Sequence, residues 1–95
     1  MTPARILIVE DESIVAKDIQ ASLSGLGYAV AGVAADGEEA VRQAESLKPD
    51  LILMDVMLQG ALDGIEAAKR IRRLSPVPVV YLTAYTDDDT LRRAK

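Results

Sequence analysis

The hydrophobic positions of the chain form short runs of two kinds that alternate along its length. One kind is continuous and apolar, which is typical of strands buried on both faces of a parallel sheet. The other places apolar residues three and four positions apart, which predicts amphipathic helices. The predicted strands cover residues 5–10, 28–34, 50–54 and 79–82. The predicted helices cover residues 12–26, 38–47 and 64–74, and a fourth helix begins at the acidic residues 87–89.

Several residues predict where these elements end and which face they bury. Gly27 and Lys48 stand where the first two helices should stop, and Asp63 is the expected N-cap of the third. Gly32 predicts that the second strand lies at an edge or under a closely packed helix. The expected inward positions are Val15, Ile19, Leu23 and Leu26 in the first helix, Ala40, Val41, Ala44 and Leu47 in the second, and Ile65, Ala68, Ile71 and Leu74 in the third.

The alternation of strands and helices predicts an α/β fold with a doubly wound parallel sheet and helices on both faces. Right-handed crossovers are expected between the strands. The chain has no internal repeat or linker, so we expect one domain over residues 1–95.

Composition excludes several kinds of site. Cysteine and histidine are both absent, which excludes disulfides, thiolate or imidazole metal ligands, a Ser-His-Asp triad and an internal histidine phosphoacceptor. The net charge of −4 and the lack of a basic, aromatic stripe argue against direct binding of nucleic acid. The chain has neither a signal-peptide pattern nor a membrane-spanning apolar stretch, so we expect a cytoplasmic protein without a membrane partner.

Carboxylates follow two of the predicted strands. The apolar run at residues 6–9 ends in Glu10 and Asp11, and the run at residues 51–54 ends in Asp55. Strands that neighbour each other in a sheet lie about 5 Å apart, so Asp11 and Asp55 can share one ion if the first and third strands are adjacent. Oxygen ligands without His or Cys suit Mg²⁺, with Mn²⁺ as an alternative.

If a phosphoryl group lies beside such a metal, these residues can take part in phosphoryl transfer. Asp55 can attack phosphorus and form an aspartyl phosphate. The hydroxyl of Thr83 and the backbone N–H of Ala84, at the end of the fourth strand, can bind phosphoryl oxygens. The competing interpretation is that an Asp after a strand is a turn former or an N-cap. That interpretation suits Asp63 well and Asp11 moderately, because Asp11 precedes a helix. It suits Asp55 poorly, because no helix starts there.

Four segments of the sequence together resemble the receiver domain of two-component response regulators. They read ILIVEDE, DLILMDVML, DGIEA and PVVYLTAY, and they occur in order with suitable spacing between about residues 5 and 95. The resemblance implies a flavodoxin-like fold with strand order 2-1-3-4-5, which would place the first and third strands side by side.

The resemblance also implies roles for individual residues. Asp55 would be the phosphoacceptor for a histidine kinase or phosphotransfer protein. Mg²⁺ would be held by Asp11, Asp55 and the backbone carbonyl of Met57, with Glu10 acting through water. Thr83 would be the switch hydroxyl, and Met57 and Tyr85 would tune the lifetime of the phosphoryl group.

The sequence departs from the family at its C-terminal end. Receivers carry a lysine at the end of a fifth strand, followed by a fifth helix, and this chain ends before either. Lys95 does not match that lysine, so the expected domain is incomplete at its C-terminus. Without a fifth strand, residues 79–82 would form a partly exposed edge. The loop over residues 56–62 is also one residue longer than in many receivers.

The predicted function is therefore a phosphoacceptor switch that acts on an output domain or target, and not a turnover enzyme. The first alternative is a phosphorylation-independent module for interaction or dimerisation, and whether the chain forms a homodimer is open. The second is a hydrolase with an aspartyl nucleophile, which would need a general acid near Asp55. A flavin site is disfavoured, because no phosphate-binding loop follows the first strand.

Overall fold

The computed structural model of the chain describes residues 2–56, 58 and 63–82. Strands and helices alternate along these residues, as the hydrophobic pattern predicts. In chain order they are β1 (Arg5–Val9), α1 (Ser13–Gly25), β2 (Ala29–Ala34), α2 (Gly37–Leu47), β3 (Leu51–Asp55), α3 (Gly64–Leu74) and β4 (Val79–Leu82). The predicted fourth helix lies outside the described residues.

The four strands form one parallel sheet in the order β2-β1-β3-β4. This confirms the flavodoxin-like order for the first four strands, and no fifth strand occurs among the residues that the structure describes. In the register of β1 and β3, Val9 is paired with Met54. The residues that follow these two, Glu10 and Asp55, therefore emerge side by side at the same edge of the sheet.

The larger part of the core lies between the sheet and the helices α2 and α3. Leu7, Val9, Ile52 and Met54 point to that side and are completely buried. Ile6 and Ile8 alternate with them, point to the opposite face and are also buried. Since α1 contacts β1 and β2 on that second face, β1 is covered on both sides, which explains its continuous apolar sequence.

Both environments that the sequence allows for Gly32 occur in the structure. β2 is an edge strand of the described sheet, and α2 packs closely over it. A Cβ atom on Gly32 would lie 2.6 Å from Oε1 of Gln43 and 2.8 Å from Cδ1 of Leu47. A larger residue at this position would require the side chains of Gln43 and Leu47 to move.

The helix ends also follow the sequence signals. Asp36 and Asp63 are the N-caps of α2 and α3, and each carboxylate accepts a hydrogen bond from the backbone N–H three residues later. Gly27 follows α1 with a φ of 93°, and Lys48 ends α2 with a φ of 48°. Both values lie in the left-handed region that terminates helices.

Three predicted inward positions are wrong. Leu26, Ile65 and Leu74 are 74%, 50% and 60% exposed. Leu26 caps the end of α1 instead of continuing its inner face. In α3 the buried side consists of Gly64, Ala67, Ala68 and Ile71, so the helix approaches the sheet through small residues. Ile65 lies to the side of this face, whereas Leu74 continues the face at the last residue of α3, where it lines an open cleft.

Within the described sheet β4 is an edge strand, and its residues are partly exposed. Val80 and Tyr81 are 45% and 39% exposed, and Val79 and Leu82 are half-buried.

No helix among the described residues combines the length and the apolar character that crossing a bilayer requires.

Candidate functional site

Three carboxylates meet at the carboxyl ends of β1 and β3. One side-chain oxygen of each of Glu10, Asp11 and Asp55 lies within 4.8 Å of the others. Glu10 and Asp55 are 3% and 1% exposed, and Asp11 is half-buried. The convergence that the strand ends predict is therefore present in the structure, and Asp11 and Asp55 point into one shared region.

The sheet itself places Glu10 and Asp55. The backbone N–H of Glu10 donates to the carbonyl oxygen of Ala34 at 2.9 Å, which continues the pairing of β1 with β2 by one residue. Asp55 is the last residue of β3 and is paired with Leu82 of β4. Both carboxylates therefore extend from hydrogen-bonded strand backbone, which fixes the positions from which they start.

Crowding of negative charge changes the protonation of Glu10. Burial raises the pKa of this carboxyl group from 4.5 to about 7, and the neighbouring Asp11 and Asp55 raise it as well. A hydrogen bond of 3.1 Å from the backbone N–H of Glu12 acts in the opposite direction. Glu10 therefore takes up a proton near neutral pH unless a cation offsets the repulsion within the cluster.

The competing interpretation of Asp11 as a helix N-cap is not supported. The N-cap residue of α1 is Glu12, and its side chain makes no capping hydrogen bond. Asp11 precedes it and turns toward Glu10 and Asp55. By contrast, the aspartates that precede α2 and α3 do cap their helices.

Gly64, the first residue of α3, contacts the backbone that carries Asp55. A Cβ atom at Gly64 would collide with the carbonyl oxygen of Asp55 and would lie 3.0 Å from Cα of Val56. The loop between β3 and α3 is also anchored in the core by Leu58, which is 7% exposed. In the sequence Gly64 stands out only as part of the segment DGIEA, and its contact with the backbone of Asp55 has no local signal.

A cleft of about 220 Å³ opens beside the cluster, between the beginning of α1 and the end of β2. Asp11, Lys17 and Gln20 form part of its wall. This cleft gives small molecules access to one side of the acidic cluster.

Other predicted site residues lie outside the described part of the chain. They are Met57, Thr83, Ala84 and Tyr85. Their predicted roles in metal binding, phosphate binding and phosphoryl lifetime stay predictions, as does the expectation that Lys95 is not a phosphate ligand.

The described donors fit a hard divalent cation. All three groups offer oxygen, which Mg²⁺ and Mn²⁺ prefer, and the spacing of these oxygens lets them face a single ion. Three carboxylates held this closely repel one another, and a bound cation would remove that repulsion. The arrangement suits a metal-assisted reaction at an aspartyl oxygen.

A family model described as the response regulator receiver domain matches residues 6–95. Among curated proteins, the chain is 44% identical over 93 residues to the transcriptional regulatory protein PdtaR of Mycobacterium tuberculosis. It is 43% identical over 83 residues to the phyllosphere-induced regulator PhyR of Methylorubrum extorquens. These alignments cover 98% and 86% of this chain, but only 45% and 31% of the two relatives. The chain thus spans less than half the length of these proteins.

Solved structures show the same fold. The signal receiver domain of a modulated diguanylate cyclase from Desulfovibrio desulfuricans superposes with a TM-score of 0.83 at 45% identity, over 96% of this chain and 73% of that one. The response regulator domain of CheB from Thermotoga maritima gives a TM-score of 0.82 at 34% identity, over 90% of this chain and 64% of that one. A complex of PhyR with the anti-sigma factor NepR from Bartonella quintana contains a chain that matches at 28% identity and a TM-score of 0.80, over 97% of this chain and 46% of that one.

Proposed function

The chain belongs to the response regulator receiver domains, and from this we propose that it is a switch in which Asp55 accepts a phosphoryl group from a histidine kinase or phosphotransfer protein. The observation that carries the proposal is the position of Asp55. Its carboxylate is buried at the end of β3 and lies beside Glu10 and Asp11. Asp36 and Asp63 accept hydrogen bonds from helix backbone as N-caps, whereas Asp55 faces an acidic cluster.

The proposed reaction is a transfer between two nucleophiles. An oxygen of Asp55 forms a bond to phosphorus while the bond between phosphorus and the donor histidine nitrogen breaks. The electron pair of that bond stays with the nitrogen, and Asp55 becomes a mixed anhydride. Hydrolysis by water later releases phosphate and restores the carboxylate. Such a cycle is a signal with a limited lifetime, so we class the domain as a switch and not as a turnover enzyme.

The chain's own residues would hold the metal for this step. Asp11 and Asp55 would bind Mg²⁺ directly together with the backbone carbonyl of Met57, and Glu10 would act through a bound water. When bound, the ion supplies positive charge to the phosphoryl oxygens. Glu10 also orders the site without metal, because its carboxylate accepts the N–H of Glu12 and so fixes the turn that leads into α1.

The remaining roles rest on the family resemblance. Thr83 and the N–H of Ala84 would bind phosphoryl oxygens, and Met57 and Tyr85 would control the access of water to the phosphoryl group. The family relation supports a partner kinase and an output domain or target in the cytoplasm. PdtaR is named a transcriptional regulator and PhyR appears with the anti-sigma factor NepR, so control of transcription is the output class that we propose.

The experiment is labelling with a small phosphodonor. The protein is incubated with acetyl phosphate or phosphoramidate and Mg²⁺, and the intact mass and the modified peptide are measured. We expect one added phosphoryl group on Asp55, no labelling in Asp55→Asn and no labelling with excess chelator. Asp18→Asn is a matched control on the exposed side of α1.

Labelling of Asp55→Asn would exclude this residue as the phosphoacceptor. A folded protein that stays unlabelled would favour the phosphorylation-independent interaction module. Continuous release of phosphate from phosphate esters would instead favour the aspartyl hydrolase.

A further inference from the structure

Lys17 brings a positive charge to the cleft beside the acidic cluster. The cleft, of about 220 Å³, is lined by Glu10 and Asp11 from the cluster and by Lys17 from α1, which is the cation among its lining residues. Asp11 belongs to both places, because one of its oxygens lies within 4.8 Å of an oxygen of Asp55. Lys17 therefore shares a cleft with a carboxylate that adjoins the proposed phosphoacceptor.

The helical spacing of α1 turns three hydrogen-bond donors toward this cleft. Ser13, Lys17 and Gln20 are four and three residues apart, which places them on one side of the helix, and all three line the cleft. Val33 and Ala35, at the end of β2, complete the lining with aliphatic carbon. The cleft thus offers hydroxyl, ammonium and amide donors to a small anion.

The charge of Lys17 is not neutralised by a salt bridge within residues 2–56, 58 and 63–82. The ion pair among these residues joins Lys69 to Glu66 in α3, and it does not involve Lys17. The side chain of Lys17 is exposed. Its ammonium group is therefore available to a ligand that enters the cleft.

An anionic phosphodonor meets repulsion as it approaches Asp55. Three ionised carboxylates carry a charge of about −3, and a bound divalent cation reduces this only to about −1. Acetyl phosphate and phosphorylated imidazole are both anions, so the remaining negative charge opposes their approach. The positive charge of Lys17, at the side of the cluster, offsets this repulsion.

We propose that Lys17 is a specificity-determining residue, which attracts anionic phosphodonors to the site and favours those with the larger negative charge. This inference rests on the proposed function, because it concerns the donor that reaches Asp55. Lys17 takes no part in the exchange of bonds at phosphorus. It changes how often the donor arrives in the cleft, as charged walls do for other ionic ligands.

The test compares the rate of Asp55 labelling in Lys17→Gln, Lys17→Glu and Lys17→Arg at low ionic strength with saturating Mg²⁺. We expect the second-order rate constant for acetyl phosphate to fall about threefold in Lys17→Gln, to fall about tenfold in Lys17→Glu, and to be retained in Lys17→Arg. These losses should shrink in about 1 M salt, where screening acts over about 3 Å. Lys48→Gln is the matched control, since it removes the same charge near the start of β3, at the other end of the sheet from Asp55.

Two further measurements separate attraction of the donor from damage to the site. Phosphoramidate is a zwitterion with a smaller net negative charge than acetyl phosphate, so Lys17→Gln should slow its reaction less. Mg²⁺ is a cation, so its affinity in calorimetric titrations should stay the same or rise in Lys17→Gln. A structural defect would instead weaken Mg²⁺ binding and slow labelling by both donors alike.

Equal rate constants in wild type and Lys17→Gln would overturn the role of Lys17 while leaving Asp55 as the phosphoacceptor. The same holds for an equal loss with both donors, for weaker Mg²⁺ binding in Lys17→Gln, or for an equal loss in Lys48→Gln. A wild-type protein that is not labelled at Asp55 would overturn this inference and the proposed function together.

Discussion

The α-carbon of Gly64 lies against the main-chain carbonyl of Asp55, so that any side chain at this position would collide with that oxygen. A Cβ atom on Gly64 would also lie 3.1 Å from the carbonyl carbon of Asp55. The first turn of α3 therefore rests on the backbone that carries the proposed phosphoacceptor. This contact links the packing of α3 to the position of the Asp55 carboxylate.

Gly64→Ala should therefore disturb both stability and the site. Overpacking against backbone typically costs about 1–3 kcal/mol, and the backbone of Asp55 has to shift to relieve the collision. We expect a lower free energy of unfolding in urea and slower labelling of Asp55 by acetyl phosphate under conditions where the variant is folded.

Gly25→Ala is the matched control, because a Cβ at Gly25 meets no atom within 4 Å and the residue is also helical. It should be neutral or slightly stabilising. Native labelling kinetics in folded Gly64→Ala would show that the contact does not position Asp55.

Much of this arrangement can be predicted from the sequence. Continuous apolar runs identify buried parallel strands, and the carboxylates that follow them, Glu10 and Asp55, predict which side chains converge. The prediction works because a parallel sheet brings all carboxyl ends of its strands to one edge. The strand order needed the family resemblance, since periodicity does not say which strands are neighbours.

The close contacts were beyond the sequence pattern. Periodicity places Ile65 and Leu74 near the inner side of α3, but the buried face consists of Gly64, Ala67, Ala68 and Ile71. Ile65 lies beside that face, and Leu74 lies at the helix end next to an open cleft. The pKa of Glu10 likewise depends on its burial and on the distance to Asp55. Such quantities arise from tertiary packing and have no local signal.

Metal binding should depend on pH through Glu10. Its pKa of about 7 means that a proton occupies this carboxyl group in much of the metal-free protein at neutral pH. Mg²⁺ favours the charged form, so its apparent affinity should rise as pH increases through 7 and then level off. Calorimetric titrations between pH 5.5 and 8.5 should show this rise, and Glu10→Gln should flatten it.

The stability of the metal-free protein should change in the opposite direction. The pKa of Glu10 is raised from 4.5 to about 7 on folding, so the folded state binds more protons than the unfolded state between these values. The stabilisation from the protonated group is complete below pH 4.5 and is lost as pH rises through 7. With chelator present, wild type should lose stability relative to Glu10→Gln over this interval, and a constant difference would contradict the assigned shift.

The helix caps give a stability prediction with an internal control. Asp36 and Asp63 accept hydrogen bonds of 2.8 and 2.9 Å from the backbone of α2 and α3. Replacing either by Ala should lower the free energy of unfolding by about 1 kcal/mol. Glu12→Ala should cost less, because the side chain of that N-cap makes no capping bond. Urea denaturation measures all three, and equal losses would contradict the assigned cap contacts.

Gln43 should protect the exposed edge of β2. Its side-chain amide donates to the carbonyl of Val33 at 3.1 Å and to Oε1 of Glu39 at 2.7 Å. The next carbonyl, that of Ala34, accepts from β1, so the carbonyl of Val33 points outward along the edge. Gln43→Ala should lower stability by about 1 kcal/mol and increase self-association in sedimentation velocity. Arg42→Ala, on the exposed side of α2, should do neither.

The most direct test of the central claim is a Mg²⁺ titration of four proteins: wild type, Asp11→Asn, Asp55→Asn and the control Asp18→Asn. One cation shared by Asp11 and Asp55 predicts saturable binding to one site in wild type and Asp18→Asn. It predicts that each of the other two substitutions abolishes that binding while the protein stays folded. Undiminished binding in folded Asp11→Asn or Asp55→Asn would contradict the account.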